Sequence, residues 1–226
     1  AQFELDNKVE TILRNKNIKY KLFKGNVLNE YNSITKNDGT PFKVFSPFWR
    51  HAEQIYLDKV PPKENKVKKL NKKLSIFNSK NKPKDLLPKY DWYKKFENYW
   101  NVSEKDSHNE LQNFLKERIL KYSNDRDFPS LNGSSKLSPY IRNGQLNVNK
   151  IWKSCSSIKN KNIGVRKYLN ELGWREFSHS LINYFPEMLK GNLRKEFDKF
   201  PWEKNNKFLN AWKKGMTGYP IVDAGM

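Results

Sequence analysis

The chain has 226 residues, 44 Lys plus Arg against 24 Asp plus Glu, a net charge of +20 and 14% aromatics with seven Trp. That length buries one or two cores; a single cysteine, Cys155, excludes a disulfide framework and a thiol pair, and His51, His108 and His179 lack metal-ligand spacing. No apolar run approaches the roughly 18 to 20 residues that span a membrane, and no charged-then-apolar leader opens the sequence. A strongly basic surface suits a polyanion such as DNA. The excess is nevertheless mostly Lys in an Asn-crowded chain, the bias of an AT-rich coding sequence.

Residues 5–16 predict a helix with Val9, Ile12 and Leu13 on one side, and Ile18 to Phe23 alternates apolar and basic residues as a strand does. An Asn37-Asp38-Gly39 turn precedes the aromatic run from Phe42 to Phe48. Residues 56–105 are rich in Lys, Asn and Pro, with Pro61, Pro62, Pro83 and Pro88 interrupting any helical period, and predict a linker. Ser107 and Glu110 form a capping-box pattern that starts a helix with Leu111, Phe114, Leu115, Ile119 and Tyr122 as its apolar stripe. Helices dominate beyond it, broken at Pro129, Asn143-Gly144, Pro186, Pro201 and the cluster Gly215, Gly218 and Pro220. Trp49, Trp92, Trp100 and Trp152 are assigned to packing, as is Trp212 ahead of any conducting role.

Two segments carry residues suited to chemistry. Gly133 permits close backbone approach, and Ser134 and Ser135 with their amides can cradle a diphosphate at a helix start; an ordinary capping turn explains the same residues. Further on, Glu171, Trp174, Arg175 and Ser178 run i, i+3, i+4 and i+7, which sets an acid, an indole, a guanidinium and a hydroxyl on one helical face. Phe177, Leu181 and Tyr184 supply the packing stripe of that helix. The polar face suits a nucleobase or a nucleotide, and equally a half-buried Trp among solvated charges.

The ordered series Trp174-Arg175-Glu176-Phe177, Tyr184-Phe185-Pro186, Gly191-Asn192-Leu193-Arg194, Phe200-Pro201-Trp202, Ala211-Trp212 and Thr217 to Met226 (TGYPIVDAGM) closely resembles the flavin-binding domain of the DNA photolyase and cryptochrome family. Upstream, Arg126-Asp127-Phe128-Pro129 and residues 132–140 (NGSSKLSPY) are similar to two more of its elements, with Ser134 for the usual Thr and Lys136 for the usual Arg. Phe42 to Phe48 resembles the element near the end of the family's α/β domain. The resemblance is to about half of the family's usual length, most like a bacterial class I enzyme for cyclobutane pyrimidine dimers, and the chain reads as an internal fragment.

The resemblance implies a mainly α fold. Residues 1–55 would be the tail of a Rossmann-like α/β antenna domain, 56–105 an interdomain linker, and 106–226 the first half of the all-helical FAD-binding domain. It implies a blue-light-driven lyase, acting by electron transfer from excited reduced FAD to a dimer flipped out of UV-damaged DNA, in a monomeric protein of the bacterial cytoplasm. Tyr122, Ser134, Ser135, Lys136, Leu137, Ser138 and Tyr168 would contact FAD. Glu171 and Trp174 would meet the lesion, Arg126, Arg175 and Ser178 the DNA, and Trp202 would belong to the electron relay. Methenyltetrahydrofolate is the expected antenna, and no metal is expected. A cryptochrome photoreceptor that binds FAD without repair is the alternative, and a basic helical DNA-binding module without chemistry a third reading.

Overall fold

The computed structural model describes residues 2–21, 27–30, 33–57, 88–159 and 162–226. The chain divides into two compact units, Ala1–Asn183 and Tyr184–Met226. Among the described residues the secondary structure is helical throughout.

The first helix, α1 (Gln2–Asn15), matches the expected one, although Val9 and Ile12 on its apolar side stay exposed. Residues 18–21 are irregular where a strand was expected, and Leu22 and Phe23 lie outside the described residues. Alternation provides the two faces of a strand but not its ladder, and no described segment pairs with this one. Next, α2 (Phe45–Leu57) buries Phe48, Trp49, Ala52 and Tyr56 on one stripe.

Residues 58–87, most of the expected linker, lie outside the described residues. A 3-10 helix, Asp91–Asn98, follows with none of its residues buried. Trp92 on it is 59% exposed and touches Tyr93 and Phe96 edge-on, so it packs locally and not into the core.

The next helix, α3 (Glu104–Asn113), begins one turn before the capping pattern at Ser107. Its cap is Ser103, whose Oγ accepts from the Asp106 amide at 3.0 Å. Ser107 is a buried core residue that donates to the carbonyls of Glu104 and Gln145. A π-helical turn, Phe114–Arg118, then inserts one residue into the helical period. The Ile119 amide donates to the Phe114 carbonyl, so Phe114 and Ile119, five apart, both reach the core.

Short helices α4 (Tyr122–Asp125), α5 (Ser138–Arg142) and α6 (Val148–Ser156) lead to the long α7 (Ile163–Tyr184). Asn162 starts α7 by accepting from the Val165 amide and ties it down by donating to the Leu120 carbonyl at 2.7 Å. Gly164 allows the close seating, since a Cβ there would lie 2.3 Å from the Ile119 carbonyl oxygen. The core of this unit gathers Phe48, Leu111, Phe114, Ile119, Leu137, Leu146, Ile151, Cys155 and Val165. Burial pushes the Cys155 thiol up to about 12, which leaves it a packing group.

The second unit contains 3-10 turns at Pro186–Leu189 and Lys195–Lys199, then α8 (Asn206–Lys213) and α9 (Pro220–Ala224). None of its residues is buried. Asn205 caps α8, and Asp223 accepts from the Thr217 amide and hydroxyl and from the Gly218 amide, which closes the loop before α9. Those bonds hold the Asp223 carboxyl below its ordinary range, the Thr217 hydroxyl first among them.

Candidate functional site

The middle of α7 is fixed by a glycine. A Cβ on Gly173 would stand 2.3 Å from Trp49 Cε3, so the buried indole of α2 lies directly on the helix backbone at that point. The following residue, Trp174, projects outward and is 46% exposed. Its ring lies parallel to Phe45, with centroids 3.7 Å apart and an interplanar angle of 9°. Ser178, one turn on, donates its hydroxyl to the Trp174 carbonyl and is exposed.

The expected common face of α7 separates into two sets of partners. Glu171 forms an ion pair with Arg126, and Lys167 Nζ stands 3.9 Å from the same carboxylate oxygen. Arg126 also lies over the Tyr122 ring, 5.3 Å from its centroid, and donates to the Tyr122 hydroxyl. Arg175 is committed elsewhere: its Nη1 donates to Glu176 Oε1 at 2.8 Å. The reason is the burial of Glu176, whose carboxylate needs a charged partner and finds the adjacent guanidinium. The other oxygen of Glu176 accepts from the Leu28 amide at 2.7 Å.

Glu176 and its surroundings were not singled out from sequence. Burial pushes its carboxyl up to about 7 against the lowering effect of the Leu28 and Asn29 amides and of Arg175. It lines a small cavity with Asn29, Ile34, Phe48, Tyr56 and Ser180. Asn29 is buried there with both side-chain polar atoms unpaired. The visible signal was the acid inside Trp174-Arg175-Glu176-Phe177; its buried position is set by segment 27–29, far away in sequence.

Of the residues expected at a flavin, Tyr122 and Ser135 meet at Tyr168. That ring is buried, edge-on to Tyr122 with centroids 5.1 Å apart, and its hydroxyl bonds Ser135. Burial pushes both phenols above their ordinary range. Gly133 is tightly enclosed, since a Cβ would fall 2.4 Å from the Asp125 backbone. Lys136 adopts a left-handed φ of 55° and is exposed, as are Ser134 and Ser138. The Leu137 side chain is fully buried in the core, which leaves its backbone for any ligand contact.

This set fits the phosphate end of a dinucleotide. Ser134 and Ser138 supply exposed hydroxyls and Lys136 an exposed cation, while Gly133 is buried and seats the loop against the Asp125 backbone, which corrects its expected role of admitting a ligand. In the second unit, Trp202 is 69% exposed and leans on Phe200 with centroids 4.7 Å apart. Trp212 is 48% exposed, which removes it from the packing role expected of it. Among the described residues no group of His, Cys, Asp and Glu is arranged to hold a metal, and no helix is long and apolar enough to cross a membrane.

A family model for DNA photolyase matches residues 1–66, and one for the FAD binding domain of DNA photolyase matches residues 168–226. The deoxyribodipyrimidine photo-lyase of Agrobacterium fabrum is 32% identical, over 98% of this chain and 47% of its own length. The solved structure of a bacterial class III photolyase from Agrobacterium tumefaciens aligns with a TM-score of 0.77 at 30% identity, covering 98% of this chain and 46% of that one. A Synechocystis cryptochrome shares the fold, with a TM-score of 0.75 at 21% identity, covering 99% of this chain and 47% of that one. The chain therefore spans about half the length of the curated relatives it matches. With photolyase models matched toward both ends and photo-lyase relatives aligned along nearly all of it, the chain belongs to the photolyase and cryptochrome family.

Proposed function

We propose that the chain forms the lesion-contacting part of a blue-light-driven photolyase that repairs cyclobutane pyrimidine dimers in DNA. The observation that carries this reading is Trp174, an indole with one face on Phe45 and nearly half its surface open, on a helix that also holds the Arg126–Glu171 pair. A flipped-out dimer stacks on the open face, and extrusion costs least where pairing is already damaged. Glu171, held by Arg126, accepts from a lesion base; Arg126 and Ser178 meet the strand. Arg175 keeps one nitrogen on Glu176 and reaches DNA through its other donors.

Ser134, Ser135, Lys136, Ser138, Tyr122, Tyr168 and the Leu137 backbone hold FAD in this reading. The cofactor, when bound and reduced, supplies the light-driven electron. Trp202 serves its electron relay, and methenyltetrahydrofolate is the proposed antenna. Residues 1–55 end the antenna domain, 56–105 link it, and 106–226 begin the helical domain. The class I assignment rests on the wording of residues 219–226, while the Agrobacterium tumefaciens structure favours class III.

The test is blue-light repair of an oligonucleotide carrying one thymine dimer, by the protein made from the complete reading frame. Repair is expected, and Trp174→Ala should weaken dimer binding by about 1 to 3 kcal/mol, roughly 5- to 150-fold. Flavin binding without repair would make the protein a cryptochrome sensor. Salt-sensitive DNA binding without flavin would make it a basic module.

A further inference from the structure

We infer that Phe45 is a positioning residue for the lesion-stacking indole, an inference that rests on the photolyase reading. The Phe45 and Trp174 rings are parallel at van der Waals separation, so one face of the indole is sealed by a hydrocarbon ring. Phe45 is itself braced. It lies parallel to Trp49, with centroids 6.2 Å apart and 9° between planes, and meets Phe177 edge-on at 5.9 Å. Trp49 is locked in turn against the Gly173 backbone and against Trp152. A continuous row of rings thus runs from the buried core to the exposed Trp174.

Two consequences follow for recognition. A half-exposed indole without support samples several rotamers and loses that freedom when a ligand binds; the Phe45 stack removes the loss beforehand. With one face sealed, Trp174 offers a single stacking surface. It takes one planar partner and cannot insert between two stacked bases, which favours an extruded dimer over intact duplex. The platform is also composite: Phe45 lies in the segment matched by the DNA photolyase model and Trp174 in that matched by the FAD binding domain model.

The experiment uses the FAD-loaded protein from the complete reading frame, with Phe45→Leu to remove the ring at similar volume and Phe45→Tyr to keep it. Affinities for a dimer-containing and an undamaged oligonucleotide are measured beside melting temperature. Phe45→Leu should lower dimer affinity about three- to tenfold, the worth of one aromatic pair, and leave undamaged affinity and repair per absorbed photon by bound complex unchanged. Phe45→Tyr should restore wild-type preference. Equal preference in Phe45→Leu and wild type, or equal weakening on both oligonucleotides, overturns the inference. A wild-type protein without dimer preference, or a Trp174→Ala variant that retains it, overturns the photolyase reading itself and the inference with it.

Discussion

Glu176 is where a single proton bears most on this fold. Its carboxyl sits at about 7 in the folded chain against an ordinary 4.5, with burial as the main cause. Between those values the folded chain keeps a proton that the unfolded chain has released. Stability is therefore greatest below pH 4.5 and falls as pH rises through 7, by on the order of 3 kcal/mol from this group. Glu176→Gln cannot titrate. Thermal melts at pH 5 and pH 8 should show the wild type losing stability and the Gln variant losing much less; parallel pH profiles would refute the assignment. The Arg175 ion pair pulls the other way, but a partly solvated guanidinium does not repay the desolvation of a buried carboxylate.

At the scale of elements, two glycines decide how α7 seats. Gly173→Ala drives a methyl into the Trp49 ring, and Gly164→Ala drives one into a backbone carbonyl that no rotamer change can move. Each should cost roughly 1 to 3 kcal/mol of stability, the ordinary penalty of overpacking, measured by urea unfolding. Gly173→Ala should also disturb Trp174 fluorescence through the ring row. The helices themselves were legible, because apolar spacing and Pro or Gly breaks are local signals, whereas the Asn205 cap of α8 emerged only from the structure. The π-helical turn at Phe114–Arg118 was not, since a one-residue insertion leaves the apolar residues in place and changes only their phase. Likewise the alternation after Asn17 promised a strand that has no neighbour among the described residues, and the role of Arg175 depended on Glu176 being buried by a remote segment. Gly133, Tyr168 and Trp174 stand out in the sequence because their motifs are contiguous; Phe45 lies in its own motif, yet its stacking partner lies on another helix.

For the whole molecule, a net charge of +20 sets an upper bound on DNA contact. Much of it is Lys spread by coding bias, so a minority of these groups should face the strand. The logarithm of DNA affinity should fall with the logarithm of salt at a slope of about −3 to −5, corresponding to three to six neutralised phosphates. A slope near zero would assign the charge to composition alone.

The bond from the Leu28 amide to Glu176 joins residues 148 apart. A ribosome adding roughly 5 to 20 residues per second needs roughly 7 to 30 s to cross that interval. Once Tyr56 has been added, Phe48, Trp49 and Tyr56 wait for the rest of that interval until α7, which begins at Ile163, is made. The nascent chain thus carries a sticky aromatic surface from Tyr56 until α7 is made, and its yield in a cell should depend on holdase chaperones far more than its final stability would suggest.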